Sequence, residues 1–132
     1  MQRDREEVDP QLTVTERVIG ACIEVHRHLG PGLTEGLYES ALCHELELRG
    51  IAYQRQVELP VVYKGKSIGK GFIDLLVEGK VIVELKACES LSAVHRAQLI
   101  CYLQITNLRI GLLVNFNVAV LKDGVKRVIR SG

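Results

Sequence analysis

Gly71-Phe72-Ile73-Asp74-Leu75-Leu76-Val77, a short break at Glu78-Gly79-Lys80, and Val81-Ile82-Val83-Glu84-Leu85-Lys86-Ala87 read as two strands joined by a tight turn. Side chains alternate between the faces of a strand. With a three-residue loop at 78–80, Val77 pairs with Val81 and Asp74 comes opposite Glu84. One face then carries Ile73, Leu75, Val77, Val81, Val83 and Leu85, all apolar and expected in the core. The other gathers Asp74, Leu76, Ile82, Glu84 and Lys86. A two-residue loop would shift the pairing by one and separate the carboxylates, so the arrangement depends on that turn.

Opposed carboxylates repel, and folding alone gives no reason to place them so. A hard divalent cation such as magnesium does, because it takes oxygen ligands and tolerates bound water. A cation holding a water and a phosphate oxygen lowers the pKa of the attacking water and neutralises charge in the transition state. Lys86, two residues beyond Glu84 and on the same face, is positioned to orient or deprotonate that water. Glu-x-Lys triplets are also common on solvated strands, where they form simple Lys–carboxylate pairs, so the surroundings matter.

Upstream, residues 1–10 are expected to be a frayed, solvated start. From about Leu12, Val14, Val18, Cys22, Val25 and Leu29 recur at helical spacing, with Thr13-x-x-Glu16 as a candidate cap. Gly30-Pro31-Gly32 ends that helix. A second helix starts near Thr34, carries Leu37, Ala41, Leu42 and Leu46, and stops at Arg49-Gly50. The period then changes to strands over about 53–63, 67–77 and 81–87. A third helix runs from about Ala93 to Ile105 with Ser92 as its cap. It is apolar nearly all round (Val94, Ala97, Leu99, Ile100, Cys101, Leu103, Ile105) and is expected to be largely buried. Ile110 to Val114 reads as a strand buried on both faces. Val118 to Lys122 and Val125 to Ile129 flank Asp123-Gly124 as a C-terminal β-hairpin. The pattern predicts one α/β or α+β domain over 1–132, with helices packed on a central, mainly antiparallel or mixed sheet.

Composition sets wider bounds. The chain has 132 residues, 47% of them apolar, and four Cys, four Tyr, two Phe and no Trp, which supplies a core but no aromatic platform for stacking bases. No apolar run is long enough to cross a membrane, and the charged N-terminus has no signal-peptide pattern, so a cytoplasmic protein is expected. Cys22, Cys43, Cys88 and Cys101 are scattered, as suits small buried hydrophobes in a reducing compartment better than disulfides or zinc. Residues 1–50 hold five Lys/Arg against ten Asp/Glu, whereas 51–132 hold twelve against six. The second part either faces a polyanion or attracts the first.

Gln98 and Tyr102, four apart on one face of the third helix, need partners if that helix is buried. These are either a backbone carbonyl or water, or the reacting groups themselves. Glu35, in the first turn of the second helix, suits the helix dipole or serves the site. Taken in order, Gly32-x-x-Glu35-x-x-Tyr38, Asp74, Glu84-x-Lys86 and Gln98-x-x-x-Tyr102 resemble the bacterial GxxExxY family of the PD-(D/E)xK nuclease superfamily, over about Thr13 to Arg130. The last element is similar to the helix motif of the RecB-type branch.

The resemblance implies a restriction-endonuclease-like core and Mg2+- or Mn2+-dependent phosphodiester cleavage, usually of DNA. By position, Asp74 and Glu84 would be metal ligands and Lys86 would act on the attacking water. Glu35 would add a further acid, and Gln98 and Tyr102 would orient the site. Tyr38 and Arg96 are expected to contact substrate. Ile73 stands where the family name has proline, a position that varies within the superfamily. The competing reading is a binding module that keeps the fold without turnover. With no appended binding domain, a homodimer or a partner protein is expected to help hold the nucleic acid.

Overall fold

A computed structural model describes residues 10–131, with side chains from residue 13 onward. The elements are α1 (Pro10–Leu29), α2 (Glu35–Leu48), β1 (Tyr53–Tyr63), β2 (Lys66–Val77), β3 (Val81–Lys86), α3 (Ala93–Thr106), β4 (Ile110–Asn115), a 3-10 turn at Leu121–Gly124, and β5 (Val125–Ile129). The expected frayed segment lies, apart from Pro10, outside the described residues. α1 begins at Pro10, a residue suited to a first helical turn because its missing amide is not needed there. Thr13 is therefore inside the helix and does not cap its start.

The strands lie in the order β1-β2-β3-β4-β5. All neighbours are antiparallel except β3 and β4, whose parallel pairing requires a crossover, here α3. The result is a five-stranded mixed sheet with helices on both faces. Val77 pairs with Val81, so the turn is the three-residue one, with Glu78 and Gly79 at φ 56° and 66°.

On one face Leu75, Val77, Val81, Val83, Leu85, Ile110, Leu112 and Val114 pack under α1 and α2. On the other, Ile82, Leu113 and Val128 lie under Leu99 and Leu103 of α3. Ile73 departs from the expected alternation. It is buried, but with Leu59 and Ile82 on the α3 side. The β1–β2 ladder skips Gln56 and Asp74, and Gln56 has φ 52°, so the ribbon is distorted between Leu75 and Ile73.

Two further expectations are corrected. Among the described residues α3 alone covers its face of the sheet, and its outer side is open: Val94 is 75% exposed, and Ala97, Cys101 and Ile105 are exposed as well. An apolar helix is buried only where a second layer lies over it. Residues 118–122 are not a strand, either, and β5 forms its hairpin with β4 through a long connection. Asp123-Gly124 is no tight-turn pair. A Cβ on Gly124 would meet the Asn115 carbonyl oxygen at 2.2 Å, so the glycine permits a close backbone approach.

Candidate active site

β2 and β3 part just beyond their paired segment, which ends at Leu75 and Val83. There the Asp74 amide donates to Glu84 Oε2 at 2.9 Å, and the Leu85 amide donates to Asp74 Oδ2 at 2.9 Å. Each carboxylate satisfies an amide of the other's strand, which holds the two acids face to face across the gap. Glu84 is 4% exposed. Burial first, and then the charge of Asp74, push its carboxyl up to about 8, against the opposing influence of the Asp74 amide and Lys86. Burial also raises Asp74, with the Leu85 amide pulling the other way and Glu39 adding to the rise.

Two more elements contribute. Glu35 opens α2 directly after the Thr34 N-cap. Although exposed, its carboxyl is raised by partial desolvation, lowered by Lys86 and raised again by Asp74, which puts it in the field of the β2–β3 groups. Lys86, at the end of β3, is half-buried and lowers all three carboxyls. From α3, Tyr102 reaches over the sheet so closely that a Cβ on Gly71 would lie 2.6 Å from its hydroxyl. Burial and the charges of Glu84 and Asp74 raise the Tyr102 phenol, opposed by the Phe72 amide. Gln98 is exposed one turn earlier, its Nε2 3.5 Å from the Tyr102 hydroxyl. The structure thus brings Glu35, Asp74, Glu84, Lys86 and Tyr102 together, with Gln98 at the rim.

Tyr38 and Arg96 do not join them. Tyr38 is fully buried and stacked on Phe116 at 4.5 Å; its hydroxyl donates to the Gly30 carbonyl at 2.5 Å and accepts from the Leu33 amide at 3.1 Å. It holds the loop that launches α2 and has no surface for a substrate. Arg96 lines a separate groove with Leu113, Lys126 and Arg127, toward β4 and β5.

The sequence reading missed Glu39, Gln56, His95 and Asn115. Glu39, 8% exposed, accepts from Arg55 Nε at 2.6 Å and from Gln56 Nε2 at 2.9 Å, and Gln56 Nε2 also lies 3.3 Å from Asp74 Oδ1. The available signal was spacing, since Glu39 is one helical turn beyond Glu35. His95 closes the α3 capping box: its Nδ1 accepts from the Ser92 amide at 3.1 Å, and Ser92 Oγ accepts from the His95 amide at 3.3 Å. With Nδ1 accepting, the neutral ring carries its proton on Nε2. Asn115 is 2% exposed and clamps the segment after Lys86, donating to the Cys88 carbonyl at 2.9 Å and accepting from the Cys88 amide at 3.1 Å.

Among the described residues, no group of three or more His, Cys, Asp or Glu is arranged to enclose a metal ion. Magnesium does not need one, because it dehydrates reluctantly and commonly binds through one or two carboxylates plus water and phosphate. Asp74 and Glu84 fit that requirement: both are hard oxygen donors, and burial disfavours their ionised forms, which a cation would favour.

Mixed sheet, flanking helices and acids converging at the β2–β3 gap define a nuclease-type core. The family model of the PD-(D/E)XK nuclease superfamily matches residues 12–128, and the chain belongs to that superfamily. No curated protein and no solved structure gives a significant match.

Proposed function

We propose that this protein cleaves phosphodiester bonds in DNA with the help of Mg2+ or Mn2+, as a GxxExxY-type member of its superfamily related to the RecB branch. The observation that carries the reading is the Asp74–Glu84 pair, held face to face by reciprocal carboxylate–amide bonds at 2.9 Å beside Lys86. Asp74 and Glu84 would hold the cation, which when bound activates water and neutralises charge on the phosphoryl oxygens. Lys86 Nζ donates to the attacking water and orients it. Glu35, across the gap on α2, supports the GxxExxY assignment by adding an acid at the rim. Tyr102, seated on Gly71, positions the reacting groups together with Gln98. The four cysteines are free, which suits the cytoplasm as the site of action.

The test is incubation of plasmid and of linear single- and double-stranded DNA with Mg2+, Mn2+ or chelator. Metal-dependent nicking or degradation by the wild type, and none by Asp74→Asn or Lys86→Ala, is the expected result. Binding without turnover in any metal would leave a binding module with a nuclease fold.

A further inference from the structure

We propose that the free end of the β1–β2 ribbon, residues 60–70, is a docking arm that lies in a groove of duplex DNA. The inference rests on the nuclease reading above for the identity of the nucleic acid. β3 pairs with β2 only from Leu75 to Val77, so the preceding stretch of β2 has β1 alone as a ladder partner. The near half of this ribbon is supported by α3, through Val57, Leu59 and Ile73 and through Tyr102 on Gly71. Beyond that, every residue from Val62 to Lys70 is exposed. A two-stranded hairpin with no core behind it is marginal in water. Yet this one displays Val62, Tyr63 and Ile68 at 62%, 60% and 62% exposure, where nothing among the described residues covers them.

Charge identifies the occupant. Between Val57 and Ile73 the ribbon carries Lys64, Lys66 and Lys70 against a single acid, Glu58, which pairs with Lys70. The tip is a two-residue turn with Tyr63 paired to Lys66 and with Lys64 and Gly65 at φ 48° and 83°. That left-handed geometry favours Asn or Gly at its first position. Lysine there is a poor choice for the turn and a good one for a phosphate. A two-stranded ribbon fits the major groove of B-DNA. Its exposed apolar side chains would rest on the groove walls, with the lysines reaching the flanking phosphates. Asp74 and Lys66 are roughly eight residues apart on one strand, so the tip stands ~27 Å from the acids, within one ~34 Å turn of duplex. The arm grips the same duplex that the site cuts.

Binding of a fluorescein-labelled duplex of about 30 base pairs, followed by anisotropy in chelator, tests the arm without cleavage. The K64N/K66Q variant should bind on the order of 10–100-fold more weakly near 0.1 M salt, and its dependence of log Kd on log salt should be shallower by about 2. Asn suits the turn, so the melting temperature of Lys64→Asn should hold or rise, which separates lost binding from lost fold. Unchanged affinity and salt slope in K64N/K66Q would overturn the arm. So would a wild type that does not bind the duplex, since the ribbon would then serve a protein or a second copy of the chain. A wild type that binds through the ribbon and never cuts would overturn the nuclease reading alone. Cutting that is indifferent to the ribbon would overturn the arm alone.

Discussion

A carboxyl held at about 8 is mostly protonated at neutral pH, so Glu84 is largely uncharged in the metal-free protein. Because its folded pKa lies above the unfolded value, the folded state binds the proton more tightly. The associated stability is complete below about pH 4.5 and is lost as pH rises through about 8. Melts in chelator across that window should show Glu84→Gln losing less stability than wild type as pH increases. Parallel curves would mean that Glu84 is not the buried acid described. Tyr102 offers a second test. Its hydroxyl occupies the space that a Cβ on Gly71 would need, so Gly71→Ala must displace it. The ring is rigid, and its Cζ and Cε1 would lie 3.1 and 3.2 Å from that Cβ, so it must swing as a unit at some cost in stability, and the rate should fall by roughly tenfold or more if the hydroxyl serves the transition state. Tyr102→Phe should give a similar loss, and the double variant little more. Gln98 is exposed, so Gln98→Leu should change stability by no more than ~0.5 kcal/mol, and any drop in its rate is functional. A fully active Gly71→Ala would remove Tyr102 from the proposed site.

Among the elements, β1, β2 and β3 were legible almost to the residue, because alternation and glycine-containing turns are local signals. The same turn at 78–80 made the Asp74–Glu84 pairing legible. What misled was information held by distant neighbours. Nothing in α3 itself reveals that only one of its sides is covered, and nothing near Tyr38 announces that Phe116 stacks on it. Glu39 and Gln56 meet only because α2 lies beside a β1 distorted at a left-handed residue. Gly124 shows the difference most sharply. Read as a hairpin turn, it would tolerate asparagine, which adopts left-handed backbone. Packed on the Asn115 carbonyl, it tolerates no side chain, so Gly124→Asn should destabilise about as much as Gly124→Ala, by roughly 1–3 kcal/mol. Chemical denaturation of both variants measures this, and a near-neutral asparagine variant would restore the turn reading.

Across the whole molecule, the acidic first part and basic second part are partly an internal match: Glu39 of α2 pairs with Arg55 of β1. Lys64 and Lys66 on the β1–β2 ribbon, and Arg96, Lys126 and Arg127 along their groove, face outward. The acids themselves come from three elements, α2, β2 and β3, so a cation bound between them would bind the folded chain and not the unfolded one. At tenfold excess over its Kd, a metal ion adds ~1.4 kcal/mol of stability, or roughly 5 °C for a chain of this size. The choice of control variant decides whether that shift can be interpreted. Asp74→Ala removes the acceptor of the Leu85 amide, and leaving that amide unsatisfied costs about 1–3 kcal/mol. Asp74→Asn keeps an oxygen for the amide while removing a carboxylate charge that burial disfavours. Its metal-free melting temperature should therefore hold or rise, and Mg2+ or Mn2+ should no longer shift it. Calorimetric titration beside the melts should give a matching loss of binding heat. An equal metal-induced shift in wild type and Asp74→Asn would place any cation elsewhere, and the reciprocal bonds at the β2–β3 gap would then be a device for closing the sheet.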